Sequence, residues 1–388
     1  MQEKDIYDII IENTAKEWYS SMTDNLQTNS PNWEEPRYSK KQIDKAGKTI
    51  STFSRKIKEG FDVKGINARD FNEAIKILYN WRSSHAYPLE VITNNLRCSN
   101  PKANVVQRLK RLDSIMGKIE RFPDMSLYRM QDLGGCRVIV DSISEVYDAI
   151  DRFKTSRIRH VLKRENDYIQ NPKESGYRSY HMVYQFQSDE TETYNKNILI
   201  EIQFRTKLQH IWATAVEMIG IFTKSKLKAS IGDKDILRFF VLVSSLFAKL
   251  EKTPICPNTI DDNDAIVQEI KKIDNKLKLV SRISALSVAI NHTNVTKEMK
   301  GKGYYVLILN YKEKLLSVKG FTPEQIDLAT KVYDNIEAEN NPDVDVVLVS
   351  AVSFDDLKKA YPNYFADISE FAQIMRRILG WGYIRGAK

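Results

Sequence analysis

The chain has 388 residues, of which 42% are hydrophobic, and carries a formal net charge of +8. No apolar run approaches the roughly 20 residues that a membrane span requires, and the charged, amphipathic start is unlike a secretory signal. We therefore expect a cytoplasmic protein with no membrane partner. The three cysteines are widely spaced and odd in number, which argues against a disulfide framework or a zinc site and predicts reduced thiols.

The positive charge is unevenly distributed along the chain. Residues 101–230 contain 22 Lys and Arg against 16 Asp and Glu, whereas residues 301–388 contain 11 against 12. A basic segment suits polyanionic partners such as nucleotides or RNA, although a solvated basic surface without a partner is about as common. The contrast suggests two domains with different partners.

Apolar spacing predicts the elements of the first two thirds of the chain. Helical spacing predicts helices over residues 4–20, 40–59, 68–81, 108–121 and 143–154. Short apolar runs bounded by turn residues predict strands over residues 136–140, 181–187 and 197–204. This order predicts an α/β (α+β) fold, in which helices flank a mixed β-sheet.

The last third predicts a smaller, separate α/β module. Its elements are a helix at about 264–289, a strand pair within 304–318, a helix over 323–339, a strand over 344–350 and helices over 354–359 and 369–379. The chain then divides into a helical N-terminal part (1–100), a core (101–255), a helical linker (256–300) and a C-terminal domain (301–388).

Cations cluster on the predicted helix over residues 108–121. Lys110, Ser114, Lys118 and Arg121 recur at steps of four, four and three, so they share one helix face, beside Arg108. Like charges stacked in this way repel unless an anion sits among them, which makes this face a candidate triphosphate cradle. A solvated amphipathic helix is the alternative.

Two carboxylates lie beside predicted strands. Asp132 precedes the strand at 136–140 in a Gly-Gly turn, and Glu201 lies between Ile200 and Ile202. Carboxylates at strand ends can hold Mg²⁺ while substrate phosphates complete its shell, and Glu201 is also a candidate general base. For Asp132, a plain turn residue is the alternative.

A turn-forming segment at residues 171–181 carries a stackable ring. Gly176 lets the backbone approach a ligand closely, and Tyr177 can offer its face to a base, a contact worth roughly 1–3 kcal/mol. The alternatives are a tyrosine packed on the core and, for His181 and His210, a place in a hydrogen-bond network, since no histidine pair has metal-ligand spacing.

Four ordered motifs resemble the synthetase domain of the RelA/SpoT family. They are Arg108-x-Lys110-x-x-x-Ser114, Asp132-x-x-Gly135-x-Arg137, Lys173-x-x-Gly176-Tyr177-x-Ser179-x-His181 and Glu201-x-Gln203-x-Arg205-Thr206. The resemblance covers roughly residues 100–225. It implies a nucleotidyltransferase-like domain that moves pyrophosphate from ATP to a ribose 3′-hydroxyl with Mg²⁺. The chain has no His-Asp dipeptide, so the hydrolase activity of the long family members is not expected.

The resemblance also implies roles for single residues. The catalytic set is Glu201, Asp132 and Tyr177, in which Glu201 activates the hydroxyl, Asp132 and Glu201 hold Mg²⁺, and Tyr177 stacks on the acceptor's base. The resemblance implies that Arg108, Lys110, Ser114 and Arg137 bind ATP. The predicted helix face adds Lys118 and Arg121 to this set. The residues implied to bind the acceptor are Lys173, Tyr177, His181, Gln203 and Arg205.

Two classes of acceptor are compatible with the sequence. Small alarmone synthetases use GDP or GTP, or adenine nucleotides, whereas toxic relatives modify the 3′-terminal adenosine of the tRNA CCA end and so block translation. An RNA backbone would suit two basic clusters, for which ordinary surface charge is the alternative. They are Lys154, Arg157, Arg159, Lys163 and Arg164, and Lys224, Lys226 and Lys228.

The domain order and the pair Tyr361 and Tyr364 resemble the CapRel group of fused toxin–antitoxin proteins. The resemblance implies a pseudo-zinc-finger C-terminal domain whose tyrosines dock over the ATP pocket until a phage capsid protein releases them, as an antiviral defence. The expectation is thus a self-inhibited tRNA pyrophosphokinase. The alternatives are an alarmone synthetase, making (p)ppGpp or (p)ppApp, and a non-enzymatic binding module on a degenerate synthetase fold. No feature requires more than a monomer.

Overall fold

The structure is a computed structural model. It describes residues 33–58, 68–222, 232–283, 291–295, 303–310, 313, 315–339, 341, 344–353, 355–357 and 369–380. Among the helices in these ranges, none is long and apolar enough to cross a membrane.

The first half of the chain alternates helices with strands. In chain order the elements are α1 (Lys40–Lys58), α2 (Ala68–Ser83), α3 (Ala86–Ser99), β1 (Asn104–Leu109), α4 (Leu112–Arg121), β2 (Gly134–Val140), α5 (Ile143–Thr155), β3 (Val161–Asp167), β4 (Tyr180–Gln185) and β5 (Leu199–Thr206).

The second half begins with helices and continues with strands. Its elements are α6 (Lys207–Phe222), α7 (Lys234–Leu250), α8 (Asn263–Leu277), β6 (Asn291–Val295), β7 (Tyr304–Asn310), β8 (Leu315–Phe321), α9 (Ile326–Ala338), β9 (Val344–Ser350) and α10 (Ser369–Ile378).

The strands of the described residues form one nine-stranded sheet in the order β3-β4-β5-β2-β1-β9-β7-β8-β6. The pairs β2/β5 and β6/β8 are parallel, and the other neighbours are antiparallel. Helices pack on this sheet, so the predicted mixed sheet flanked by helices is confirmed.

Each face of the sheet covers its own hydrophobic core. Val138 and Ile202 belong to a core with the N-terminal helices, whereas Val106 and Ile139 belong to a core with α6, α7 and α8. Successive side chains of a strand point to opposite faces, so the polar residues that alternate with Ile200 and Ile202 on β5 point toward the α6–α8 side. The candidate site residues lie on that side.

The predicted helix over residues 108–121 is wrong at its start. Arg108 belongs to β1, where it lies opposite Gly135 of β2, and the helix begins only at Leu112. The cause is a partner distant in sequence: pairing with β2 lets Val105 and Val106 bury themselves on opposite faces of the sheet. Arg108 and Lys110 therefore do not share a helix face with Ser114.

The C-terminal segment is not a separate module, contrary to the sequence prediction. Strand β9 pairs with β1, placing Val349 opposite Arg108, and thereby attaches β7, β8 and β6 to the same sheet. The core that contains Val106 and Ile139 also contains Tyr305 and Val347. Neither the sheet nor this core divides at residue 301.

Candidate active site

Strand β5 carries three polar side chains on the face that looks toward α6 and α7. Glu201, Gln203 and Arg205 are two residues apart and so project to the same side. Gln203 is opposite His181 of β4 and Arg137 of β2, and both neighbours face the same way. The sheet register therefore gathers residues from three of the four motifs.

Four of these side chains, together with Tyr177, form a closed ring of hydrogen bonds, here called the Glu201 ring. His181 Nδ1 is 3.0 Å from Glu201 Oε1, and Gln203 Nε2 donates to Glu201 Oε2 at 2.6 Å. Tyr177 Oη is 2.7 Å from His181 Nε2. Arg205 Nη2 closes the ring by donating to Tyr177 Oη at 2.5 Å and to Gln203 Oε1 at 2.8 Å.

The ring keeps Glu201 ionised. Burial raises the pKa of Glu201, but the hydrogen bond and charge of His181, together with Gln203, bring it below its ordinary value. A carboxylate in this state is a weak base, yet it can accept a hydrogen bond from a hydroxyl and orient it. That suffices for phosphoryl transfer, which relies on positioning and electrostatics more than on base strength.

Asp132 lies between two lysines. Lys110 Nζ is 2.8 Å from Asp132 Oδ2, and Lys118 Nζ is 2.8 Å from Asp132 Oδ1. Burial alone would raise the pKa of Asp132, but the two ammonium groups lower it to about 2. Burial lowers the pKa of Lys110, and Asp132 opposes that shift. Here the predicted cations are brought together, although by a loop and a helix and not by one helix face.

Asp132 and Glu201 are the two carboxylates predicted to hold magnesium. The negative charge of Asp132 raises the pKa of Glu201, a repulsion that a cation would relieve. Both oxygens of Asp132 pair with lysines, and both oxygens of Glu201 are engaged in the Glu201 ring. Within the described residues there is no group of three or more His, Cys, Asp or Glu that could hold a metal. Mg²⁺ commonly binds through one or two carboxylates and takes its other ligands from water and substrate phosphates.

Tyr168 is a site residue that the sequence reasoning missed. Lys173 Nζ lies 4.2 Å from the centre of the Tyr168 ring and 5.3 Å from that of Tyr177. The Tyr168 ring also meets the His181 ring edge-on at 5.2 Å. Burial lowers the pKa of Lys173, which Glu201 opposes and Arg164 reinforces. A tyrosine just after the unpredicted strand β3 is the only signal that could have indicated it.

The glycine of the Tyr177 loop lies close to two helices. Gly176 has φ +86°, and a Cβ there would lie 3.0 Å from Trp212 and 3.1 Å from Ser244. The loop therefore packs against α6 and α7 at a distance that only glycine permits. Buried Arg178, also missed by the sequence reasoning, donates to Ser244 Oγ at 3.0 Å and fixes the loop on α7.

The other predicted ATP residues are only partly brought to this cluster. Arg108 lies at the end of β1 opposite Gly135, and Ser114 is half-buried on the first turn of α4. Arg121 does not join them: it is exposed, and its Nε donates to Gly117 O at 3.0 Å on its own helix.

The predicted RNA-binding cluster is partly neutralised. Lys154 pairs with Glu165 at 2.5 Å, and Arg159 pairs with Asp189. The three other cations, Arg157, Lys163 and Arg164, are exposed on or just before β3, the first strand of the sheet. Three predicted surface lysines, Lys224, Lys226 and Lys228, and the two tyrosines Tyr361 and Tyr364 lie outside the described residues.

Comparison with known proteins points to one family. Residues 107–225, about a third of the chain, match the family model described as "Region found in RelA / SpoT proteins". Two GTP pyrophosphokinases of Bacillus subtilis (strain 168) are similar to the chain. YjbM is 30% identical over 142 residues, covering 37% of this chain and 61% of YjbM. YwaC is 30% identical over 126 residues, covering 31% of this chain and 59% of YwaC.

The match thus spans less than two thirds of either relative. Among solved structures, the small alarmone synthetase 1 from Bacillus subtilis bound to its product pppGpp shares 26% identity with a TM-score of 0.32. That match covers 38% of this chain and 73% of the other. Residues 107–225 of this chain are thus similar to a region found in RelA and SpoT proteins.

Proposed function

We propose that the chain is an ATP-dependent pyrophosphokinase, which transfers pyrophosphate from ATP to the 3′-hydroxyl of a ribose. The observation that carries this proposal is the Glu201 ring, in which His181 and Gln203 hold an ionised carboxylate whose pKa also responds to the charge of Asp132 in the Asp132–lysine cluster. The relatives, which are named GTP pyrophosphokinases, support the same reaction class.

In the proposed reaction the acceptor O3′ forms a bond to the β-phosphorus of ATP. The bond between that phosphorus and the oxygen bridging to the α-phosphate breaks, and AMP leaves. Glu201 orients the attacking hydroxyl and receives its proton as the new bond forms. Arg108, Lys110 and Lys118 compensate the charge of the triphosphate, and Mg²⁺ held through Asp132 and Glu201 would add further compensation.

The acceptor's base stacks on Tyr177 in this proposal. Arg205 and His181 hold the tyrosine hydroxyl, so the ring is fixed before the acceptor arrives. Arg205 Cζ is 5.1 Å and Lys173 Nζ is 5.3 Å from the centre of the Tyr177 ring, so a base stacked on this ring would lie beside two cations. A preorganised ring loses less freedom when it binds.

The acceptor we propose is the 3′-terminal adenosine of tRNA. Exposed Arg164 supports it, because it lies two residues from Asn166, which is opposite His181, and so shares the face of the acceptor residues. Exposed Arg157 and Lys163 add positive charge on or just before the same strand, which suits a backbone of phosphates. The second candidate is GDP or GTP, which the names of the relatives favour.

We also propose that the chain is a self-inhibited toxin for phage defence. Tyr361 and Tyr364 would hold the enzyme inactive, and a phage capsid protein bound to the C-terminal segment would release it. We expect Tyr361→Ala or Tyr364→Ala to make expression toxic in uninfected cells, measured as growth after induction at equal protein level. Normal growth with either variant would contradict the proposal.

The deciding experiment incubates the full chain with γ-³²P-ATP, Mg²⁺ and either deacylated tRNA or GDP/GTP, and separates the products by size. Glu201→Gln is the inactive variant, and Glu190→Gln is its matched control because Glu190 lies exposed in a loop. Label on tRNA supports the toxin, and label on a free nucleotide makes the chain an alarmone synthetase. The Tyr361→Ala and Tyr364→Ala chains are assayed in parallel, because they lack the proposed restraint. No acceptor-dependent label from the wild type or from either of these chains, or equal label from Glu201→Gln, refutes the reaction.

A further inference from the structure

Arg82 is a charged side chain that is almost fully buried, at 1% exposure, between the synthetase core and the C-terminal segment. Its Nε donates to Lys110 O at 2.6 Å, and its Nη2 donates to the hydroxyl of Tyr333 on α9. Nη1 is 3.8 Å from Asp334 Oδ1, and Nη2 is 3.4 Å from Glu337 Oε2. A buried guanidinium requires such partners, so α2, the β1–α4 connection and α9 are tied together here.

The first connection runs through the main chain of Lys110. Its carbonyl accepts from Arg82, and its N–H donates to Leu133 O at 2.7 Å. Because both backbone groups of Lys110 are hydrogen-bonded, its main chain is held in place. Its side-chain Nζ lies 2.8 Å from Asp132 Oδ2. Arg82 therefore connects α9 to Lys110, the first lysine of the Asp132–lysine cluster.

The second connection runs through the start of α4. The residue at the N-cap position is Arg111, which makes no side-chain cap. Glu337 serves instead: its Oε1 accepts from Leu112 N at 2.9 Å, across 225 residues of sequence. A carboxylate there satisfies a free N–H and suits the helix dipole. Helix α4 carries Lys118, the second lysine on Asp132.

Both connections converge on one carboxylate. Lys110 and Lys118 bind the two different oxygens of Asp132, and each is set in place by a group that α9 contacts. We propose that α9 positions the donor site, with Tyr333, Asp334 and Glu337 as positioning residues for the triphosphate of ATP. This inference rests on the proposed function, because it takes Lys110, Lys118 and Asp132 to be the donor site.

The test uses full-length chains with conservative changes in α9. Glu337→Ala removes the cap of α4, whereas Glu337→Gln keeps an acceptor oxygen for Leu112 N–H. Tyr333→Phe removes the hydroxyl that accepts from Arg82 and is also hydrogen-bonded to Glu337. Its matched control is Tyr304→Phe, which removes another hydroxyl of the C-terminal segment that donates at 2.7 Å to Glu90 of α3.

Two readouts are taken with each variant. One is the affinity for a non-hydrolysable ATP analogue with Mg²⁺, and the other compares KM for ATP with KM for the acceptor. We expect Glu337→Ala to lower the affinity for the analogue about fivefold, which is the effect expected for the loss of a helix cap. KM for ATP should rise by the same factor. KM for the acceptor stays unchanged. Glu337→Gln restores most of the loss, Tyr333→Phe shows a smaller loss, and Tyr304→Phe shows none.

Several outcomes would overturn the inference. They are unchanged analogue affinity in Glu337→Ala with a normal melting temperature, tighter binding in that variant, or equal effects of Tyr333→Phe and Tyr304→Phe. Failure of the proposed function looks different, because a wild-type chain that transfers no label to any acceptor still reports on the positioning through analogue binding. A wild-type chain that transfers label while all variants bind the analogue normally refutes the positioning alone.

Discussion

Replacing Asp132 with asparagine should lower the free energy of unfolding by about 2 kcal/mol at neutral pH. The two lysines lower the pKa of Asp132 from 3.8 to about 2, and each pKa unit corresponds to about 1.4 kcal/mol. The side chains of Asp132, Lys110 and Lys118 are 22%, 20% and 28% exposed, so solvent screens these ion pairs less than it screens surface pairs.

The sign of the pH dependence follows from the lowered pKa. In the unfolded chain Asp132 titrates at its ordinary value, and in the folded chain it keeps its charge to about pH 2. Its contribution is therefore fully present above about pH 4 and is lost as the pH falls through about 2. Wild type and Asp132→Asn should differ most at pH 7 and converge in strong acid.

The assay is urea unfolding followed by tryptophan fluorescence at pH 7, 5 and 3. Urea is preferred because guanidinium salts screen ion pairs. Asp261→Asn is the matched control: Asp261 also pairs with a lysine, Lys249, but is 78% exposed, so its loss should not shift the midpoint measurably. Equal midpoints for wild type and Asp132→Asn at pH 7, or a difference that does not shrink in acid, would refute the reasoning.

Three further predictions concern the ring, the loop and the sheet. Glu201→Gln should lower transfer by about 10²–10⁴-fold with little change in affinity for a non-hydrolysable ATP analogue, measured by label transfer and titration. Gly176→Ala should cost at least about 1 kcal/mol in thermal melts, because φ is +86° and Trp212 leaves no room, whereas Gly117→Ala, with nothing within 4 Å, should be neutral or stabilising. A chain ending at residue 300 should lose solubility rather than gain activity, measured by sedimentation and melting, because β1 loses β9 and part of the shared core.

The sequence predicted those features that depend on residues close together in the chain. Strand β9 was predicted with its observed bounds, and β5 within two residues, because their apolar runs are bounded by turns or polar residues. The Glu201 ring was also accessible, since two-residue spacing places Glu201, Gln203 and Arg205 on one face. The neighbouring strand was predicted over residues 181–187 from its apolar run, and the motif resemblance added the role of His181 in binding the acceptor.

Features that depend on a distant partner were missed. Helical spacing around Arg108 is compatible with a helix, and only β2 across the sheet makes the segment a strand. Strand β3 contains Lys163, Arg164 and Glu165 and lacks the alternating apolar pattern that marks a strand. Arg82 gave no signal, because its partner Tyr333 lies 251 residues away.

The attachment of β9 changes how the C-terminal segment can act on the enzyme. Without β9, β1, which carries Arg108, would be an edge strand, and edge strands are prone to unwanted pairing. With β9 in place, β1 is an interior strand, and α9 packs against the connection that follows it. A protein that bound the C-terminal segment and shifted α9 would therefore move Lys110 and the start of α4 without contacting the residues proposed to bind ATP. Such an effector can change the activity only if it binds one position of α9 more tightly than the other. The contacts of Arg82 determine how much free energy is needed to move α9 from its present position.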